Sequence, residues 1–526
     1  MLRNTDQMLR RDDTTAWPAG ELLAHRLLRR YLTWVLVSLS LLQLATWIPH
    51  YLTLPLWADH DVFATMAHAW DAGELPYRDF RTTNFPGTTY LFWVLGQTFG
   101  WGGSVAFYAL DVVLLVAAGA ALAVWSRRCL GTPLGGVVGY AALLTFYLNL
   151  DFTQTAQRDW HAALLAMGGL IAAQASPNLR GAFASAGFFA AAFLIRPHVV
   201  LFLPAIAWMV ARPDDAAQDG SAVRLRLAGW SAAVVISITL GLLPLIRAGL
   251  FVDFIGSIPV FGYGHGSDPR PLADRVVVLI NLFLTPKIIA VPAAMLFLAW
   301  RSGRVWFAAP WLLALAGTLL YDAVSPFSHP YLAEPMWVVW SIHTGILAHL
   351  IVQDERSLPS LRLAAVVLLL SLSLVPKPRF CSVHASLRAA GFLVGNRQAE
   401  VAPPGYRHDF EFVPLYPWAD YLAVLAHLRN VTPSQARVAN LLHAVAVTGP
   451  TGRLSVFPAE SATWLGMVAP EDEELFAAAL ERAGDSVVVW DPNASTMQSR
   501  PRLLSTVLRR YEPQARFGSI EIWRKK

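Results

Sequence analysis

The chain has 526 residues, of which 55% are hydrophobic and only 15% are charged, and its mean hydropathy is +0.44. Soluble domains carry about 25% charged residues, so this composition excludes an ordinary water-soluble enzyme and predicts an integral membrane protein. The formal net charge of +5 comes from basic residues scattered over short loops between apolar runs, which excludes a nucleic-acid-binding patch. Cys129 and Cys381 are the two cysteines, so a disulfide framework is excluded as well.

Apolar runs of about 17–25 residues, each long enough to cross a bilayer as a helix, recur along the chain. The arginine-rich segment 1–30 precedes the first run, which is too long for a signal-peptide core and therefore predicts a signal anchor. We predict about eleven spans on this length criterion, near 32–54, 103–125, 133–149, 160–175, 181–195, 197–211, 227–246, 276–299, 306–321, 331–351 and 362–376, where the fifth and sixth could also be one broken element. The transmembrane domain is thus 31–376, with its first loop at 55–102.

Arginines occur in alternate loops, for example at Arg127, Arg180, Arg212 and Arg301. Loops of this kind stay in the cytoplasm, so the N-terminus is predicted to be cytoplasmic. An odd number of spans then puts everything after residue 376 outside. The predicted location is the inner (plasma) membrane, crossed many times.

The composition changes to that of a soluble protein in the tail 377–526. Predicted strands at 486–490 and 519–523 and helices at 471–483 and 502–510 indicate a small extracytoplasmic α/β domain. This tail contains no glycine-rich phosphate loop, so we assign it a role in acceptor binding or packing rather than in chemistry.

The first loop carries the pattern that is most informative about function. It opens with Asp59-His60-Asp61, continues with Gly73-Glu74-Leu75-Pro76-Tyr77-Arg78-Asp79-Phe80 and Asn84-Phe85-Pro86-Gly87, and ends at Phe99-Gly100. Acidic residues at a membrane face are costly near lipid, so such a cluster marks a site that binds or reacts. With this pattern the chain resembles the GT-C glycosyltransferases, in the branch of the protein O-mannosyltransferases and the lipid A aminoarabinose transferases (glycosyltransferase family 39-like).

The resemblance implies a polytopic α-helical GT-C fold and an enzyme that moves a sugar from a polyprenyl-phosphate donor to an extracytoplasmic acceptor. Asp59 matches the acid that opens the first loop in these families, where it is the proposed catalytic base. Asp61 forms an Asp-x-Asp spacing that could hold a divalent cation, Mg²⁺ or Mn²⁺, through oxygen ligands. His60 departs from the family's usual Glu, which leaves the use of a metal open.

Two further acids and a neighbouring cation are candidates. Asp159 stands at the outer start of the fourth span, where the resemblance implies a second catalytic acid that faces the first across a cavity. Arg158 is a candidate phosphate ligand, and an interfacial anchor is the alternative. Asp79 lies in the Gly-x-x-Pro-Tyr-x-Asp turn, where binding substrate and closing the turn are both open.

Later segments supply candidate ligands for the donor. Arg196 interrupts apolar sequence in Ile195-Arg196-Pro197-His198, and a guanidinium there can bind two phosphate oxygens. His329 and Tyr331 resemble the family's His-Tyr-Leu-x-Pro step, although Pro330 separates them, and could bond phosphate or sugar hydroxyls. Arg270 lies in the Gly- and Pro-rich loop 256–271, which suits a mobile lid.

The predicted partners are a polyprenyl-phosphate-linked sugar, membrane lipids and an extracytoplasmic acceptor (glycan, lipid or protein), with no nucleic acid. The main alternative function is a transporter or flippase of a lipid-linked envelope intermediate. Such a protein would have ionisable residues near the bilayer midplane and often paired halves, whereas here the acids cluster at one face. A non-catalytic scaffold would not need Asp59 and Arg196 to converge.

Overall fold

The computed structural model describes residues 19–80, 82, 84–212, 220–258, 286–324, 330–353, 383–394, 416–433, 435–457 and 470–526, with single positions between 273 and 280 and between 362 and 369. These residues form a bundle of apolar helices that carries a small four-stranded sheet near its C-terminus. The predicted fold class, a polytopic helical membrane protein with a small C-terminal α/β domain, is confirmed.

The membrane part of the chain is built from helices and short connections. In chain order it comprises α1 (Ala19–Leu52), α2 (Ala58–Asp71), α3 (Pro86–Phe99), α4 (Val105–Leu130), α5 (Leu134–Tyr147), α6 (Arg158–Ala175), α7 (Leu179–Ile195), a 3₁₀ helix (Pro197–Phe202), α8 (Leu203–Ala211), α9 (Gly220–Arg247), α10 (Phe251–Ser257), α11 (Pro286–Arg301), α12 (Val305–Val324), a 3₁₀ turn (Pro330–Ala333) and α13 (Glu334–Gln353).

Each predicted span from 32–54 to 331–351 overlaps one of these helices, and the last predicted span, 362–376, lies almost wholly outside the described residues. Among the described residues, four helices are both long and apolar enough to cross a membrane: Arg26–Leu52, Val105–Leu130, Gly220–Arg247 and Tyr331–Gln353. The other apolar helices are shorter, and one of them, Val383–Val394, lies in the predicted soluble tail.

At the centre of the bundle, the backbones of α5 and α13 approach each other closely. A methyl group added at Gly139 of α5 would lie 2.9 Å from the carbonyl oxygen of Ser341 in α13, and one added at Gly345 would collide with the carbonyl of Gly135. Small residues at such crossings let two helices come together where lipid offers no hydrophobic driving force. The helices α5 and α13 therefore pack with their backbones in close contact.

The helix that ends at Ile195 does not continue through the next apolar run. Arg196 has extended backbone (φ −146°, ψ 105°), and Pro197 then begins the 3₁₀ helix. Proline disfavours helical backbone in the residue before it, which accounts for the break. The chain turns back at this point, because Arg226 donates both to the carbonyl of Pro177, just before α7, and to the carbonyl of Arg212, just after α8. The runs 181–195 and 197–211 are thus two elements that meet at the charged side chain of Arg196.

The tail contains α14 (Val383–Val394), α15 (Trp418–Asn430), β1 (Arg437–Asn440), α16 (Thr448–Thr451), α17 (Pro470–Arg482), β2 (Ser486–Trp490), α18 (Ser495–Gln498), α19 (Pro501–Arg510), β3 (Tyr511–Phe517) and β4 (Ile520–Lys525). The sheet order is β1-β2-β4-β3, with β1 and β2 parallel and the other pairs antiparallel. The predicted strands correspond to β2 and β4. The entire β2 strand is buried between the helices on the two faces of the sheet.

The tail packs on the first loop and the first span. Arg437 forms an ion pair of 2.5 Å with Glu74, and the hydroxyl of Ser386 in α14 donates to the carbonyl of Thr46 at 2.6 Å. Helix α14, which follows the predicted boundary at residue 377, therefore lies against the first span rather than apart from the bundle.

Candidate active site

Asp59 lies in the first turn of α2, which begins directly after the first span. Trp57 is the N-cap residue, and an acid in the first turn of a helix is favoured by the helix dipole. The side chain is partly buried, and its Oδ2 accepts a hydrogen bond of 3.1 Å from the amide of Gln157. Gln157, at the N-cap position of the helix that carries Asp159, therefore holds Asp59.

Asp159 is fully buried in the first turn of α6, where its carboxylate meets a cation and a phenol. The Nε of Arg196 donates to Oδ1 at 2.9 Å, and Tyr321 also donates its hydroxyl to Oδ1. No described residue donates to Oδ2 of Asp159, although this atom is buried. Buried polar atoms are nearly always satisfied, so an oxygen without a described partner marks a place for a ligand or solvent.

A small recess lies beside this carboxylate. Asp159, Arg196, His198 and Tyr321 supply its polar lining. The buried Nδ1 of His198 also has no hydrogen-bond partner among the described residues. Polar groups that converge on one concavity are the usual form of a small-molecule site.

Two more predicted residues join this group. The guanidinium of Arg158 interacts electrostatically with Asp59, Asp159, Arg196 and the hydroxyl of Tyr331. Tyr331 interacts with the same two acids and both arginines. The structure thus brings together five predicted site residues: Asp59, Arg158, Asp159, Arg196 and Tyr331.

Asp61 does not join this group, because its carboxylate faces the tail. Its Oδ2 accepts from the backbone N–H of Val447 at 2.9 Å, and its Oδ1 accepts from the N–H of Gly449. The hydroxyl of Thr448 bonds the same carboxylate. Burial raises the pKa of Asp61 to about 6, and the two backbone N–H groups oppose this shift. Asp61 therefore joins the first loop to the tail.

His60 contacts a different part of the chain from Asp61 and is buried as a neutral imidazole, because burial lowers its pKa to about 3. Its Nδ1 accepts from the N–H of Trp57 at 3.4 Å, which leaves Nε2 to donate to the carbonyl of Ala156 at 3.2 Å. The residue that departs from the family pattern thus contacts the connection that leads into α6.

The remaining predicted residues do not join the group. The carboxylate of Asp79 is exposed and accepts from the N–H of Leu75 at 2.9 Å, which closes its own turn. His329 and Arg270 lie outside the described residues.

Two solved structures share this architecture. The crystal structure of ArnT from Cupriavidus metallidurans bound to undecaprenyl phosphate matches with a TM-score of 0.57 and 14% identity, over 93% of this chain and 98% of that chain. Its apo form matches with a TM-score of 0.56 and 13% identity, over 93% and 97%. The chain has the GT-C fold.

The resemblance deduced from the first loop is therefore confirmed for the fold. No family model matches the sequence, and no curated protein matches it significantly.

Within this GT-C fold, the sequence reasoning missed Tyr321, His198 and Gln157. Tyr321 lies near the end of an apolar span and looks like one of many interfacial aromatic residues. His198 follows Arg196-Pro197, and its place in that interruption was the available signal. Gln157 directly precedes Arg158 and Asp159, and this position next to two charged residues was the signal that could have found it.

The described residues contain no group of three His, Cys, Asp or Glu side chains that could hold a metal ion. N–H and O–H donors surround both oxygens of Asp61, and these present positive ends where a cation would have to lie. The donor set around Asp61 therefore does not fit a metal ligand.

Proposed function

We propose that this protein is an integral-membrane glycosyltransferase that transfers a sugar from a polyprenyl-phosphate donor to an acceptor hydroxyl on the outer face of the membrane. The observation that carries the proposal is the convergence of Asp59 and Asp159 with Arg158 and Arg196 within a GT-C fold. The ArnT structure with this architecture was solved bound to undecaprenyl phosphate, a lipid of the proposed donor class.

In the proposed reaction, the acceptor oxygen attacks the anomeric carbon of the sugar from the face opposite the phosphate. The bond between that carbon and the phosphate oxygen breaks, and polyprenyl phosphate leaves with the bonding electrons. The hydroxyl proton passes to the Asp59 carboxylate, which acts as the general base. No redox partner is needed, and the anomeric configuration inverts.

Arg196 is proposed to stabilise the leaving phosphate. Asp159 and Tyr321 both bond its Nε, at 2.9 and 3.2 Å, and this is the nitrogen nearest to the side-chain stem. Such contacts orient the guanidinium, whose terminal nitrogens are the ones that can bind a phosphate in a two-pronged manner. Charge stabilisation by a group that is held in place beforehand often contributes more to the rate than any other effect.

We further propose an orientation in the inner membrane in which the N-terminus is cytoplasmic and the tail is outside. The contacts of Asp61 with Val447 and Gly449 support this, because they require the first loop and the tail to lie on one side of the membrane. The alternation of loop arginines supports which side that is.

Release of the lipid phosphate tests the proposed function. Purified protein in detergent or liposomes is incubated with a panel of undecaprenyl-phosphate sugars and a crude envelope acceptor fraction, and release of undecaprenyl phosphate is followed. Wild-type protein should release the lipid phosphate with at least one sugar. The Asp59→Asn variant should not, and the Asp71→Asn variant should behave as wild type, because Asp71 is an exposed carboxylate at the far end of the same helix.

A transporter would instead move a labelled lipid-linked sugar between leaflets and leave the sugar–phosphate bond intact. Movement without cleavage, unchanged in Asp59→Asn, would replace the proposed function with that alternative.

A further inference from the structure

A buried polar cluster lies behind the candidate active site and takes no part in the proposed reaction. Its centre is Asp111 of α4, whose side chain is fully buried. Oδ2 of Asp111 accepts from the hydroxyl of Tyr51 at 2.7 Å and from the hydroxyl of Tyr147, and Oδ1 contacts Nε2 of His161 at 2.8 Å. Polar side chains from four helices thus meet at one buried point. Burying them costs free energy unless each one has a hydrogen-bond partner.

Tyr147 extends this cluster to the backbone. A phenol has one proton to donate, and Tyr147 donates it to Asp111. Its oxygen is thereby turned to accept, and it accepts from the N–H of Ala156 at 3.0 Å. His60 holds the carbonyl of the same residue at 3.2 Å. Ala156 is therefore fixed at both of its backbone polar groups.

Ala156 needs this support because its backbone lies in the left-handed region, with φ at 55°. A residue with a Cβ adopts such a backbone at a cost, and it persists where the surrounding structure imposes it. The two hydrogen bonds of Ala156 come from elements distant from each other in the chain, α5 and α2. They are the restraint that imposes the conformation.

The residue after Ala156 is the one that holds Asp59. Gln157 is the N-cap residue of α6. The nitrogen of its side-chain amide donates to Oδ2 of Asp59 at 3.1 Å and to the carbonyl of Thr153 at 2.7 Å. The backbone direction at Ala156 sets where this amide points.

We propose that Tyr147, oriented by Asp111, and Gln157 are positioning residues that aim the Asp59 carboxylate at the acceptor hydroxyl through the backbone of Ala156. This proposal rests on the proposed function, since it takes Asp59 as the catalytic base. Neither Tyr147 nor Asp111 touches substrate in the proposed reaction.

A misplacement of about 1 Å in a reacting group can cost on the order of 10²-fold in rate. Loss of the positioning contact should therefore lower kcat by about tenfold to a hundredfold and leave the KM for the donor within about twofold, because no donor-binding group is removed.

The test compares two phenols that bond the same carboxylate oxygen. Tyr147→Phe removes the acceptor for the N–H of Ala156, whereas Tyr51→Phe removes an equally buried hydroxyl that bonds Asp111 and Tyr147. We expect Tyr147→Phe to lower kcat and to speed amide hydrogen exchange in the segment 152–159. Tyr51→Phe should do neither beyond a small loss of thermal stability.

Gln157→Asn is a second variant, and we expect it to fold like the wild type. Asparagine is a better N-cap residue than glutamine, so α6 should be retained, but the amide is one methylene too short to reach Asp59. This variant should lower kcat without loss of stability. Combined with Tyr147→Phe, it should cost little more than Gln157→Asn alone, because both changes break one path to Asp59.

Equal kcat values for Tyr147→Phe and Tyr51→Phe would overturn the proposal, and so would wild-type kcat in Gln157→Asn. Fully additive losses in the double variant would also overturn it, since they imply separate roles. If the wild-type protein transfers no sugar at all, the proposed function fails instead. The exchange comparison then still decides whether Tyr147 holds the segment around Ala156.

Discussion

Asp61 accepts a hydrogen bond of 2.9 Å from the backbone N–H of Val447, which follows it by 386 residues. This contact joins the second residue after the proposed base to the tail. The carboxylate also accepts hydrogen bonds from the N–H of Gly449 and the hydroxyl of Thr448. One side chain thus bonds three donors of the turn 447–449. The tail is consequently part of the framework of the first loop.

The first prediction concerns the pH dependence of this contact. The pKa of Asp61 is raised from 3.8 to about 6, and burial is the main cause. A carboxyl whose pKa is raised on folding stabilises the protein below its unfolded pKa, and this contribution is lost as the pH rises through the folded pKa. The wild-type stability minus that of Asp61→Asn should thus fall between about pH 4 and pH 6, by at most roughly 3 kcal/mol.

The measurement is thermal unfolding of both proteins in one detergent across this pH range. The buried His60 also titrates on unfolding, in the opposite sense, but it is present in both proteins and cancels in the difference. A difference that stays flat from pH 4 to pH 6 would contradict the prediction.

The second prediction concerns the turn that meets Asp61. A Cβ at Gly449 would lie 2.6 Å from Oδ1 of Asp61 and 2.9 Å from the Cβ of Ala64, so Gly449→Ala must push the turn away. Overpacking of this kind typically costs about 1–3 kcal/mol. We expect a lower melting temperature and faster amide exchange at residues 447–452. Gly484→Ala is the control, since a Cβ there meets nothing within 4 Å, and equal effects of the two changes would refute the expectation.

The third prediction separates the base from binding groups. Asp59→Asn keeps the shape of the side chain and removes its basicity, so kcat should fall by about 10²–10⁴-fold while the donor dissociation constant changes little. Single-turnover rates, and equilibrium binding of the undecaprenyl-phosphate sugar without acceptor, measure the two quantities. A variant that binds the donor poorly but turns over bound donor at the normal rate would show that Asp59 is a binding residue.

The fourth prediction concerns Arg196. Arg196→Ala should raise the donor KM and also lower kcat, because the guanidinium meets the phosphate both in the bound donor and as charge builds on the leaving group. Arg196→Lys should recover only part of the loss, since a single ammonium replaces a planar fork. Arg180→Ala is the matched control, because Arg180 is exposed near the opposite end of α7. Full recovery by lysine would argue against two-pronged binding.

The fifth prediction concerns Tyr321, which donates its hydroxyl to Asp159. Hydrogen bonds to charged groups stabilise a folded protein by about 1.5–3 kcal/mol. Tyr321→Phe removes such a bond, so Asp159 and Arg196 should be held less firmly in place. We expect a higher donor KM than in wild type and a smaller effect than that of Arg196→Ala. Steady-state kinetics with varied donor checks this, and a loss larger than that of Arg196→Ala would assign Tyr321 a direct chemical role.

The sequence allowed the helical bundle and the main polar group of the site to be predicted. Apolar runs of span length are local signals, and Asp59, Asp159 and Arg196 each interrupt apolar sequence next to a recognisable motif. Convergence of Asp159 and Arg196 could be expected because the helices that carry them adjoin in the chain.

Other parts depend on contacts that leave no local trace. Asp61 looked like half of an Asp-x-Asp cation site, and its partners are backbone N–H groups of a turn far along the chain. Tyr321 and Tyr147 lie within apolar helices, where an aromatic residue is ordinary. Strand β1 has four residues and β3 contains Pro513 in a polar stretch, so neither showed the alternation that marks a strand.

The link between Asp61 and Val447 also sets an order of events in biosynthesis. At roughly 5–20 residues per second, the 386 residues from the one after Asp61 up to and including Val447 take about 20–80 s to synthesise, and all later spans must be inserted in that time. Until then the carboxylate of Asp61 lacks the donors that satisfy it in the finished protein. The first loop therefore gains these contacts only late in synthesis, and a chain that stops before Val447 leaves the ribosome with a first loop that lacks them.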